Sequence, residues 1–207
     1  MITQSQTLGG VDRLDDREWQ LCQQSLAGNS AACTELLQRY QPEIARQMWR
    51  FTRNRATQEE LVQEVLVEAY LSLRHYRRQG VPFLHWLRCI ATRVGYRHWK
   101  HEARRRKHLS LEGVDTPSPQ AADAPEAEAI QAAALLHDLL ARLPAPDRLV
   151  LTLVYFEECS LKEIADRAGW NIAIVKMRVY RARNRLRKMI EDENLTERLM
   201  EVLHGNA

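Results

Sequence analysis

The sequence predicts an all-α protein, two small helical domains joined by a flexible linker, with a helix-turn-helix in the second. Three observations predict it. Apolar residues recur at helical spacing through both ends of the chain. A stretch near the middle turns to Pro, Ala, Asp and Glu and loses that periodicity. Finally, Ser160 to Lys188 reads as two helices around a glycine turn, the second heavily basic. The 207 residues carry a net charge of only +3, and its distribution says more than the sum. Arg88 to Lys107 holds eight Lys/Arg against one Glu, whereas Glu112 to Glu128 holds five acids and no Lys or Arg. Two basic blocks flanking an acidic spacer imply two polyanion-binding surfaces.

Residues 1–14 are expected to be disordered, and the first domain covers 15–108. A short helix starts at Asp15 or Asp16, presents Trp19, Cys22 and Leu26 on one face and stops at Gly28. The next runs from about Ser30 to Arg53, burying Ala32, Cys33, Leu36, Ile44, Met48 and Phe51, with Pro42 expected to kink or loosen it. Thr57 and Glu60 have the spacing of a capping box, opening a helix with the stripe Leu61, Val65, Leu66, Ala69 and Leu73. Gln79 to Pro82 marks a loop. The following helix buries Phe83, Trp86, Leu87, Ile90 and Val94.

The linker is expected over 109–128. About 20 residues of extended chain reach roughly 65 Å, and the composition favours an open, solvated segment. The second domain, 129–191, begins with an Ala/Leu-rich helix to about Arg142, broken by Leu143-Pro144-Ala145-Pro146. Leu149 to Phe156 could pass for a buried strand by periodicity, but its proline and acidic start favours helix. Ser160 and Glu163 form a second capping-box signature, Gly169 suits a left-handed stop, and Asn171 suits the start of the last helix. Val175, Val179, Ala182, Leu186 and Met189 supply its buried stripe. Residues 192–207 form a tail with no assigned role.

Several classes are disfavoured. Cys22, Cys33, Cys89 and Cys159 show no paired spacing and the His residues do not cluster with them, so no metal or cofactor is expected. No Gly-rich phosphate loop, nucleophile elbow or convergent carboxylate pair suggests an enzyme. No apolar run has the length of a membrane span, and Met1 to Gly10 lacks the features of a signal peptide, so a cytoplasmic protein is expected.

A short helix, a glycine turn and a basic helix are the arrangement that enters the DNA major groove. Its candidate contacts are Asn171, Ile174, Lys176, Met177, Arg178, Tyr180 and Arg181. Ile174 and Met177 admit two readings, contact with thymine methyls or an apolar patch for a protein. On the basic helix of the first domain, Thr92, Tyr96 and Trp99 project on the face opposite the apolar stripe, beside Arg88, Arg93 and Lys100. Rings among cations suit single-stranded DNA. Packing of Tyr96 and Trp99 against another domain or helix is the equal alternative.

Glu60-Leu61-Val62-Gln63-Glu64-Val65-Leu66, followed by Phe83 to Ala91 (FLHWLRCIA), resembles conserved region two of bacterial sigma factors. LPAPDRLVLTLVYFEECSLKEIADRAGWNIAIVKMRVYRARNRLRK resembles region four. With these two regions and a short linker, the chain is similar to the extracytoplasmic-function class. The resemblance implies that Glu60, Val62, Gln63 and Glu64 dock on core RNA polymerase. It implies that the loop at 77–82 and the helix after it hold the melted minus-ten element, through Arg88, Thr92, Arg93, Tyr96, Trp99 and Lys100. The helix-turn-helix would read the upstream duplex. Arg93 and Arg97 stand where the family commonly has Asn and Asp. Promoter DNA, duplex and melted, and core polymerase are the implied partners, with an anti-sigma factor where one exists. Two other readings remain open, a dimeric helix-turn-helix regulator acting without polymerase and a sigma-like protein-interaction module.

Overall fold

The computed structural model describes residues 16–76, 82–111 and 136–192. Helices make up the regular structure among the described residues: α1 Asp16–Leu26, α2 Ser30–Met48, α3 Arg55–Ser72 with a 3-10 turn Leu73–His75, and α4 Phe83–Leu111. Residues 136–142 form α5, followed by α6 Ala145–Tyr155, α7 Leu161–Ala168 and α8 Ile172–Asp192. The chain divides into two compact units, Met1–Gly95 and Tyr96–Ala207, so the division falls inside α4. The expectations for 1–14, for most of the loop at 77–82, for most of the linker and for 193–207 lie outside the described residues.

In the first unit α1 packs on α2 and α2 on α3. The core is built from Cys22 of α1, Leu36, Ile44 and Met48 of α2, Val65 and Ala69 of α3, and Phe83 and Leu87 of α4, with Phe51 from the turn after α2. Three local expectations are corrected. The buried face of α1 is Leu21 and Cys22 rather than a stripe reaching Leu26, which is exposed at the last position of the helix; the chain then turns at Gly28 (φ 93°). Helix α2 runs through Pro42 but ends at Met48 rather than near Arg53. Phe51 turns into the core there, and the Thr52 hydroxyl accepts the Asn54 N–H at 3.1 Å. The cap of α3 is Asn54, whose Oδ1 accepts the Thr57 N–H at 3.0 Å. Thr57 thus already lies in the first turn, and its pairing with Glu60 as a capping box does not occur.

Two features of this unit follow from close packing. Gly95 sits against the Phe51 ring so tightly that an added Cβ would overlap the ring atoms. Burial, then the nearby Glu18 carboxylate and Cys33, push the Cys22 thiol up to about 12. That keeps it protonated at neutral pH, in line with a packing role.

In the second unit α6, α7 and α8 pack on one another. The break at Leu143–Pro146 becomes the start of α6, with Pro144 as its cap. Leu149, Val150, Leu151 and Leu153 are all buried, and so is Thr152. That near-continuous burial explains why the segment reads as a strand by periodicity although it folds as helix. Helix α4 continues to Leu111, three residues into the stretch expected to be linker.

Candidate nucleic-acid and protein interfaces

The helix-turn-helix is assembled by local bonds. The Glu163 side chain accepts the Ser160 N–H at 2.8 Å, and the Ser160 hydroxyl accepts the Glu163 N–H at 3.2 Å. Gly169 ends α7 in the left-handed region (φ 68°), where a Cβ would be strained. The Asn171 side chain accepts the Ala173 N–H at 2.8 Å and so caps α8. Val175, Val179 and Ala182 bury one side of α8, with Leu186 and Met189 half-buried below them.

That anchoring turns Ile174, Met177 and Tyr180 outward, at 40, 41 and 68 % exposure. Lys176 and Arg181 are exposed beside them. A groove of about 490 Å³ is lined by Leu161, Tyr180 and the cations Lys176, Arg183 and Arg187, and extends the basic surface. Arg178 differs from its neighbours. It is half-buried, lies 3.7 Å from an Asp147 carboxylate oxygen, and its guanidinium sits 4.9 Å from the centre of the Trp170 ring. Asp147 is 2 % exposed and also pairs with Arg185. Arg178 therefore holds α8 against α6 and already has an anionic partner. It is set apart from the outward group it was expected to share.

The face of α4 is also rearranged relative to expectation. Arg93 and Lys100 are exposed, Arg93 bonding back to the Cys89 carbonyl at 3.1 Å and Lys100 reaching over the Tyr96 ring at 5.5 Å. Arg88 is half-buried in an ion pair with Glu43. Thr92 is fully buried, its hydroxyl accepting from Gln47 Nε2 at 3.2 Å, so its expected outward position is corrected. Its partner lies on α2, forty-five residues earlier, and no helical wheel contains it. Trp99 is 2 % exposed, with the Arg148 guanidinium 3.9 Å from its ring centre, so the outward placement is corrected for it too. Tyr96 is half-buried and meets Trp170 edge to face, 5.6 Å between centres at 84°. Burial raises its phenol above the ordinary value, with Arg178 opposing and Asp147 adding, and leaves it neutral at physiological pH. The packing alternative is therefore the one present in the structure for both rings.

On α3, Glu60, Gln63 and Glu64 are exposed, whereas Val62 is 4 % exposed and belongs to the core beneath them. The helix adds what the sequence reading missed. Val67, Tyr70 and Leu71 continue the same face at 55, 58 and 64 % exposure. Steps of three and four residues, from Glu60 to Gln63 and Glu64, on to Val67 and then to Tyr70 and Leu71, were the available signal. It was hidden because apolar residues on a helix are read first as core. The result is one strip, acidic at its start and apolar at its end.

Among the described residues no group of His, Cys, Asp and Glu could hold a metal ion. No described helix is long and apolar enough to cross a membrane.

Comparison with known proteins agrees with this architecture. Residues 36–105 match a family model of sigma-70 region 2, and residues 133–186 match one of sigma-70 region 4. The ECF RNA polymerase sigma factor SigD of Mycobacterium tuberculosis (strain ATCC 25618 / H37Rv) is 30 % identical over 197 residues, 91 % of this chain and 89 % of its own length. The RNA polymerase sigma-H factor of Pseudomonas aeruginosa is 25 % identical over 85 % of this chain and 95 % of its own. Among solved structures, CnrH in complex with the cytosolic domain of CnrY has a TM-score of 0.54 at 21 % identity, covering 86 % of this chain and 99 % of that one. RpoE in complex with the anti-sigma factor NepR from Bartonella quintana has 0.51 at 23 % identity, over 76 and 96 %. Those two likenesses bear on the fold alone. With both regions matched in order, and a 30 % identical relative covering nearly the whole chain, this protein belongs to the extracytoplasmic-function family of RNA polymerase sigma factors, which are transcription-initiation factors.

Proposed function

We propose that this sigma factor docks on core RNA polymerase through the outer strip of α3, holds the melted minus-ten strand on α4 and reads the upstream duplex with the outward group of α8. It does so in the cytoplasm and catalyses no reaction itself. The observation that carries the reading is the α3 strip, where Glu60, Gln63 and Glu64 run on into exposed Val67, Tyr70 and Leu71. A helix-turn-helix regulator acting alone has no need of such a face. Acidic and amide groups beside exposed aromatic and aliphatic ones suit a basic protein surface with an apolar centre. On α8, Ile174, Met177 and Arg181 stand where base edges and phosphates would be met. The apolar pair also suits a protein partner, and RpoE, a similar protein, is solved with the anti-sigma factor NepR.

The test is co-elution with core polymerase and promoter-dependent transcription. Glu64→Arg combined with Leu71→Asp should lower core affinity at least about tenfold, the loss of roughly 1.4 kcal/mol. Helix content and duplex binding by α8 should be unchanged. Undiminished co-elution of that variant would refute α3 as the docking face.

A further inference from the structure

The groove beside α8 has cations without a carboxylate to meet them. Lys176, Tyr180, Arg183 and Arg187 line it at steps of three and four residues, so they form one exposed row along the helix, with Leu161 on the opposite wall. Half-buried Ile190 continues that row into the last turn. The Arg183 guanidinium stands 5.6 Å from the centre of the Tyr155 ring, which places its charge at the rim. Among the described residues, Lys176, Arg183 and Arg187 form no ion pair, whereas Arg178 and Arg185 on the same helix share Asp147. The groove therefore suits an occupant that brings both carboxylates and apolar side chains.

We propose that residues 193–207, the stretch that follows α8, dock in this groove and compete with duplex DNA for it. The competition rests on the reading of α8 as the duplex-binding helix. The stretch carries Glu193, Glu197 and Glu201 against Arg198, and Leu195, Leu199 and Val202 recur in it at helical spacing. Asn194 followed by Glu197 is the spacing of a helix start, which favours a reversal just past Asp192, where α8 ends, over a straight continuation. The reach is sufficient. A two-residue reversal makes a helical hairpin, and Leu195 to Leu203 in helical form covers about 12 Å, back to the level of Arg183 and Arg187. There the leucines would lie against Tyr180 and Ile190 and the carboxylates near the free cations. Tyr180 and Lys176 belong to the surface offered to DNA, so docking and duplex binding exclude one another.

The test uses the full chain with a nitroxide spin label on Gly205→Cys, the native Cys22, Cys33, Cys89 and Cys159 being buried. Broadening of backbone amide signals is read by NMR. Affinity for a fluorescein-labelled duplex of about 20 base pairs, two helical turns, is read by anisotropy. Docking should broaden Tyr180, Arg183 and Asn184, and saturating duplex should remove the broadening. Leu199→Ser with Leu203→Ser changes no charge, and both positions lie beyond the end of α8. That variant should lose the broadening and bind duplex on the order of fivefold more tightly, because apparent affinity scales with the undocked fraction. A gain at constant charge excludes simple repulsion of DNA by the carboxylates. If the stretch instead runs straight on from α8, the label sits about 33 Å from Arg183, no broadening is seen, and the inference fails alone. Broadening that survives saturation with duplex, with affinity equal in the serine variant, overturns the competition and leaves α8 as the duplex reader. Duplex that binds neither protein defeats the reading of α8, and the competition with it.

Discussion

Helices α4 and α8 are both long, basic and amphipathic in sequence, yet they hold their polar residues differently. Helix α8 is anchored along one side by Val175, Val179 and Ala182, and it keeps Ile174, Met177, Tyr180 and Arg181 in solvent. Helix α4 buries residues on more than one side. Thr92 is fully enclosed against Gln47, and Trp99 is enclosed beneath Arg148. The difference teaches that a polar or aromatic residue opposite an apolar stripe is available only if nothing else packs on that side. For α8 the neighbours α6 and α7 occupy one side. For α4 a second set of partners occupies the other.

The comparison can be broken first at Asp147, which secures α8. The Asp147→Ala variant leaves Arg178 and Arg185 without the carboxylate they share, and Arg178 Nε is already buried without a partner. Both arginines are partly exposed, so the cost should fall at the lower end for a broken buried pair, about 3 kcal/mol. Chemical denaturation with a shift in midpoint at constant slope would register it. No shift would mean that packing alone orients α8.

For α4 the corresponding point is Gly95. A helical Gly→Ala change ordinarily stabilises by up to about 1 kcal/mol, but here the added methyl meets the Phe51 ring. The sign should reverse, with a loss of about 2 kcal/mol from overpacking and a lower Tm. A stabilised Gly95→Ala protein would show that α4 is not seated on Phe51. Thr92→Val is milder. It removes the acceptor that Gln47 Nε2 uses at 3.2 Å, leaving only the Arg88 carbonyl at 3.5 Å, and should cost about 1 kcal/mol. Single-strand binding should change little, since the hydroxyl does not reach solvent.

The finest comparison lies within α8. If Arg181 meets a phosphate, Arg181→Ala should reduce the log–log salt slope of duplex binding by about 0.9 with little loss of stability. Arg178→Ala should flatten the slope less and destabilise more, because its charge is already matched by Asp147. Equal slope changes would show that the pairing does not withhold Arg178 from DNA.

What the sequence determined by itself was local. The Ser160–Glu163 capping box, the left-handed stop at Gly169, the Asn171 cap and the break before α6 all depend on bonds spanning a few residues, so their partners stand side by side in the chain. The helical fold followed from periodicity, and the region-two and region-four resemblance came from contiguous motifs. Even locally, two plausible caps can compete. Asn54 took the role given to Thr57 because the Phe51–Thr52 turn brings it first to the helix start. Only the tertiary structure decided which side chains were spoken for. Gln47 meets Thr92, Asp147 meets Arg178 and Arg185, and Arg148 meets Trp99. Only packing, likewise, could leave Val67, Tyr70 and Leu71 in solvent while burying Val62. The physical reason is common to all of these. A helix's own period says which residues share a side, but whether a side faces water or another helix depends on segments far away in the chain.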